Sequence, residues 1–331
     1  MVPLDDVATR PEEAVVSPPP PRWRRLLPRL APWVISAAVL GAILGKYEIE
    51  EIAIELAHTN AWALAPLAVA TVLATLALIT AADAQIFLGC VGRPAYSDVL
   101  RGKAACSMLD LLGYAFGRGG YGIWIARVTG AGAALSLGMI LFLVASDLAA
   151  VSSIASASIH LGGLEVGGGL DVVAPMIASI MVGLMIFGQL HLLGRERVPT
   201  VFHPWSLMPL RRSLGGIGLR GLNISLGVLF TWAAARSFGL AIPLFIMAAY
   251  LPVILVIGSM PINVLGFGPV QAAWLMFTPW AEGPRILAFQ IVWQLFIGVA
   301  IFLRGLPFLR RVTREIDEGK AARATVTAPL E

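Results

Sequence analysis

The chain has 331 residues, 58% hydrophobic and only 13% charged, with a formal charge of +4 and a mean hydropathy of +0.81. An average soluble domain is about 45–50% apolar and about 25% charged, so this composition argues against a water-soluble globular protein. Two cysteines (Cys90, Cys106) and four scattered histidines lack the number and spacing of a disulfide scaffold or a metal centre. No metal, cofactor or nucleic-acid partner is expected.

Residues 1–25, with Ser17 followed by four prolines, lack the apolar content to pack and read as a disordered cytoplasmic tail. Seven apolar runs then follow that reach or approach the roughly 20 residues a transmembrane helix needs. They cover residues 31–46, 61–83, 131–153, 172–193, 222–239, 241–260 and 286–303. The first extends back through Leu30, Leu27 and Leu26 if Arg29 snorkels to the interface. It does not read as a cleaved signal peptide, because a long polar segment precedes it and no small-residue cleavage site follows. A membrane domain over 26–310 is expected, with 311–331 as a second disordered cytoplasmic tail.

Basic residues set the orientation. Nineteen of the 24 Lys and Arg fall in the N-terminal tail and in 84–103, 194–221 and 304–331, so these segments are expected on the cytoplasmic side. The loop around Glu48, Glu50, Glu51 and Glu55 and the loop 154–171, which has no basic residue, are expected outside. For both flanks of the apolar segment Ala104–Arg127 to be cytoplasmic, the segment must dip in and return. Two cytoplasmic termini require an even number of crossings, which 262–280 supplies as a broken span. The expected fold is an all-α polytopic membrane bundle of about eight crossings plus one re-entrant element in an inner (plasma) membrane.

Two glycine-rich interruptions are expected: Gly117-Arg118-Gly119-Gly120-Tyr121-Gly122, and Pro261 through Asn263, Gly266 and Gly268 to Pro269. Non-helical backbone survives at membrane depth only where protein or trapped water covers it. A helix that starts there presents free N–H groups and a partial positive charge, which suits an anion, and paired discontinuous helices mark transporter binding centres. The expected binding residues are Arg118, Gly119, Gly120, Asn263, Gly266, Gly268, Gln271 and Arg127. Asp110 and Asp147, too deep to stay ionised alone, are candidate partners for Arg118 or Arg127. Asp83 reads as interfacial, Arg236 as a snorkelling anchor, His191 as a hydrogen-bonded interface residue, and Trp33, Trp62, Trp205, Trp232 and Trp280 as an aromatic belt. Small residues on 131–138 suit close helix packing. Residues 92–103 read as an interfacial elbow with Val99 and Leu100 toward lipid.

Phe116-Gly-Arg-Gly-Gly120, Arg127-Val-Thr-Gly130, the pair Ser146-Asp147 and the late Pro261-x-x-x-x-Gly266-x-Gly268-x-x-Gln271 together resemble a family. Over roughly residues 30–310 the chain resembles the transmembrane region of lysylphosphatidylglycerol synthases and its stand-alone, flippase-like relatives. It departs from the family pattern at Tyr114-Ala115-Phe116, where a proline is usual, and at Gln271, where a glutamate is common. The resemblance implies binding and translocation of an anionic phospholipid or polyprenyl-phosphate-type lipid; no catalytic residues are expected, because no close carboxylate pair, His/Asp set or Ser/His/Asp arrangement lies near either break. Lysine transfer is not implied. No ATP-binding Gly-x-x-x-x-Gly-Lys-(Ser/Thr) occurs. The alternatives are an integral-membrane lipid-modifying transferase and an accessory scaffold of a lipid-biosynthesis complex. Assembly with further copies stays open.

Overall fold

Among the described residues, four stretches are long and apolar enough to cross a bilayer as helices: Trp62–Cys90, Ala133–Gly162, Leu210–Ser237 and Gly283–Glu318. The computed structural model describes residues 34–58, 61–92, 94–164, 169–189, 200–260 and 268–327, and among these there are helices, turns and no strand. Around the long helices lie three shorter apolar ones, Val34–Leu44, Asp171–Leu184 and Leu244–Ser259. The described residues are thus all-α, and the length and apolar composition of the four long helices are compatible with a membrane protein.

In chain order the helices are α1 (Val34–Leu44), α2 (Ile49–His58), α3 (Ala65–Cys90), α4 (Tyr96–Asp110), α5 (Tyr114–Thr129), α6 (Ala133–Gly162) and α7 (Leu170–Gln189). After a short α8 (His203–Leu207) come α9 (Leu210–Ser237), α10 (Leu244–Ser259), α11 (Pro269–Trp274) and α12 (Gly283–Thr327). α3 packs chiefly on α9, α6 on α7 and α10, and α12 on α4.

The segment Ala104–Arg127 does turn back on itself, as α4 and α5 pack together as a hairpin. The turn, however, lies at Leu111–Gly113, and the expected break at 117–122 is continuous helix. Gly113 carries the reversal with φ +151°, a conformation open to glycine and strained for other residues. The later glycines serve close packing instead. A Cβ on Gly117 would strike the Asp110 carboxylate, one on Gly120 would lie 2.7 Å from Leu109, and one on Gly122 would lie 3.3 Å from Ile140. With the helix continuous, the amides of Gly119 and Gly120 belong to its hydrogen-bond ladder and are not free donors.

Several boundaries also differ from the sequence reading. α3 runs past Asp83 to Cys90, α9 begins at Leu210, and α12 continues to Thr327 through the stretch expected as a disordered tail. The elbow at 92–103 is largely the first half of α4, and Val99 is fully buried, not lipid-facing. Among the late-motif residues, Asn263 and Gly266 fall outside the described residues, as do Trp33, His191 and the N-terminal tail. Past them the expectation of a short helix holds. Gly268 has φ +112°, Pro269 opens α11, and a 3-10 turn at Leu275–Phe277 finishes the element. Gly268 also lets α1 approach, since a Cβ there would lie 2.6 Å from Ser36 Oγ.

Candidate functional site

The buried apolar side chains fall into two principal clusters at opposite ends of the bundle. One gathers Ile224, Val228 and Phe238 of α9 with Phe289 and Trp293 of α12, and Trp274 of α11. The other gathers Phe87 of α3, Tyr121 and Trp124 of α5, Phe142 of α6 and Val312 of α12. Each long helix passes from one cluster to the other, and charged residues sit where the clusters meet. On α6, Asp147 lies between Leu143 of one cluster and Ala150 of the other; on α9, Arg220 lies between Ile217 and Ile224. At 1.5 Å per residue Asp147 is about 21 Å from the start of α6.

An isolated charge at such depth is expensive, and these charges are paired. Arg220 donates through Nη2 to Asp83 Oδ1 and through Nη1 to Asp147 Oδ1, tying α9 to α3 and α6. Arg118 of α5 donates to the other oxygen of Asp147 at 2.5 Å. Lys103 of α4 faces Asp83 Oδ2 at 3.6 Å and stands 4.8 Å above the Tyr121 ring. Five helices thus contribute to one cluster of three cations and two carboxylates. Asp110 borders it, its carboxylate lying over Gly117. Arg304 of α12 reaches the Val72 carbonyl at 2.5 Å and Ser107 Oγ at 3.1 Å, joining α12 to α3 and α4.

The cluster is closed on one side and open on the other. Arg220 and Asp83 have 1% and 0% of their side-chain surface exposed, against 11% for Arg118, 12% for Lys103 and 22% for Asp147. Arg118 Nη1 is buried without a hydrogen-bond partner, and the Arg118 guanidinium lies 4.9 Å from the centre of the Tyr114 ring. α5 starts at this depth with no side-chain cap on its first amides.

Of the binding residues expected from sequence, the structure brings Arg118 together with Asp147 and, at its margin, Asp110. It does not place Gln271 in this cluster. Gln271 accepts from the Gly268 N–H at 2.5 Å and donates to Gln290 Oε1 at 3.2 Å, among side chains of the other apolar cluster. Arg127 lies in the last turn of α5, about 13 Å along the axis from Arg118. Asp83, read as interfacial, is instead fully buried, because α3 continues past it.

The sequence alone places Lys103, Arg220 and Arg304 among the basic residues of cytoplasmic segments and Asp83 at an interface, and so does not reveal their place in the cluster. Helical periodicity carries the signal. Asp83 has Ile86 and Phe87 three and four positions on, and Arg220 sits between Ile217 and Ile224, so both lie within the buried stripes of their helices. No described group of three or more His, Cys, Asp or Glu side chains is placed to hold a metal ion. No family model matches the chain, and no curated protein matches its sequence.

Proposed function

We propose that the protein is an integral-membrane, flippase-like transporter of an anionic lipid, with the phosphate received at the open edge of the buried charge cluster. The observation that carries this reading is the imbalance of three cations against two carboxylates. Adding Arg304 and Asp110, which adjoin the cluster, leaves the same excess of one positive charge. A buried unpaired charge is costly unless something neutralises it, and a phosphodiester supplies one negative charge with several acceptor oxygens. Arg118 has an unused Nη1 donor for it, and an arginine fork matches phosphate geometry. The uncapped start of α5 adds a favourable dipole. The acyl or prenyl tails would stay in the bilayer beside the helices.

This relocates the expected site. Arg118 and Asp147 remain at its centre, while Gly268 and Gln271 become an internal brace between α11 and α12. The sequence resemblance to flippase-like relatives of lysylphosphatidylglycerol synthases points to the same substrate class, with both chain termini on the cytoplasmic side.

The test is a headgroup-accessibility assay in proteoliposomes with fluorescent phosphatidylglycerol and phosphatidylcholine. The reading expects faster movement of the anionic lipid and at least a tenfold loss in Arg118→Gln. Equal rates for the two lipids, or an Arg118→Gln variant at full rate, would overturn it. Recovery of a covalently altered lipid would favour the transferase instead.

A further inference from the structure

Within the charge cluster Lys103 differs from its two cationic partners. Arg118 and Arg220 both donate direct hydrogen bonds to carboxylates, whereas Lys103 makes none among the described residues. It holds only the 3.6 Å ionic contact to Asp83 Oδ2 and the face of Tyr121. Around that contact the oxygens are underused. Asp83 Oδ2 and Thr80 Oγ1 are buried without a hydrogen-bond partner, Tyr121 Oη is buried beside the Asp83 carboxylate, and Thr80 stands one turn before Asp83 on α3. A metal cation is a poor occupant here, since Lys103 and Arg220 already face the one carboxylate. The exchangeable species that suits such a place is a proton.

Resting on the transport reading above, we propose that Lys103 is a proton-exchange site coupled to lipid binding, so that each anionic headgroup enters with one proton. The physical basis is electroneutrality in a low-dielectric interior. A guanidinium does not release its proton in a protein, while an ammonium on a flexible stem does. Lys103 is therefore the one cation of the three that can discharge the excess when the site is empty. As an empty-site amine it brings the cluster to zero. When a phosphodiester binds, Lys103 takes a proton from water at its exposed edge, 12% of the side chain, and the total returns to zero. No covalent bond is made or broken, and the proton leaves again when the lipid does.

The groups that bear on this titration come from every neighbouring helix. Asp83 faces Lys103 from α3, Arg118 and Tyr121 from α5, and Asp110 and Cys106 from its own helix. Asp147 of α6 acts through the shared network, as does Arg220 of α9. α12 contributes Arg304 through Ser107, and Glu315 through Trp124.

The test uses the purified full chain in detergent with dihexanoyl phosphatidylglycerol, titrated calorimetrically in buffers of different ionisation enthalpy between pH 6 and 9. The expected result is uptake of one proton per lipid above the pH at which the empty site discharges, with affinity falling about tenfold per pH unit there. Lys103→Arg keeps the charge but cannot release it. It should abolish proton uptake and the pH slope whatever its absolute affinity, and Lys103→Met should abolish both and bind more weakly. Binding by the unmodified chain without proton uptake, or a Lys103→Arg variant with the original slope, overturns the proton assignment alone. Failure to bind the anionic lipid at any pH overturns the transport reading as well.

Discussion

The guanidinium of Arg220 lies against the carboxylate of Asp83 with 1% and 0% of the two side chains exposed, and the same guanidinium reaches Asp147. One almost fully buried side chain thereby joins α9, α3 and α6. Removing one member of a buried ion pair costs up to about 3–5 kcal/mol, and without Arg220 the Asp83 carboxylate keeps only the 3.6 Å contact to Lys103 and no hydrogen-bonded cation.

Arg220→Met should therefore lower stability by about that amount, and adding Asp83→Asn should restore part of it. Thermal unfolding in detergent of the two variants and the parent measures both. If Arg220→Met unfolds at the parent temperature, Arg220 does not bear the load assigned to it.

Gly117 and Gly119 separate two readings of the glycine-rich segment. A Cβ on Gly117 would collide with Asp110, whereas one on Gly119 meets nothing within 4 Å. Gly117→Ala should spread the α4–α5 hairpin and destabilise the fold. Gly119→Ala should be neutral or stabilising by up to about 1 kcal/mol, the helix-propensity gain of alanine over glycine. Were 117–122 an irregular break, Gly119→Ala would be harmful, so the ranking of the two melting temperatures distinguishes helix from break.

Trp124 anchors the far end of α12. Its Nε1 donates to Glu315 at 3.1 Å, and its ring stacks on Tyr121 at 5.7 Å with planes 2° apart. A hydrogen bond to a charged acceptor contributes about 1.5–3 kcal/mol, so Glu315→Ala should loosen α12 beyond Phe308. Hydrogen–deuterium exchange should then rise over 309–318 while residues 286–303 keep their protection.

The Gln271–Gln290 contact closes the opposite end, where both side chains are almost fully buried. Gln271→Ala leaves the Gly268 N–H without its side-chain acceptor, at about 1–3 kcal/mol. It should lower the melting temperature yet preserve the preference for anionic lipid. Loss of that preference in a folded Gln271→Ala would return Gln271 to the binding site.

Apolar run length made the long helices legible in the sequence, since membrane helices are written in unbroken hydrophobicity. The reversal between Lys103 and Arg127 followed from charge placement. Its position did not, because glycine serves both backbone bends and close packing: Gly113 bends, while Gly117 and Gly120 pack. The Arg118–Asp147 pair was foreseen in kind, as deep charges seek partners. Lys103 and Arg220 escaped because both stand beside other basic residues just outside the expected apolar runs, where a cation engaged inside the protein and one facing solvent have the same one-dimensional pattern.

The division of the interior into two oily blocks has a mechanical corollary. Within each block, interlocked side chains resist sliding, because close-packed surfaces move only by opening voids. Along the ionic seam between them, a carboxylate with two cations in reach can trade one for the other and remain bonded throughout. Asp83 and Asp147 each stand in that position. A seam of shared ion pairs thus lets the two blocks shift against each other without stripping a carboxylate of every partner.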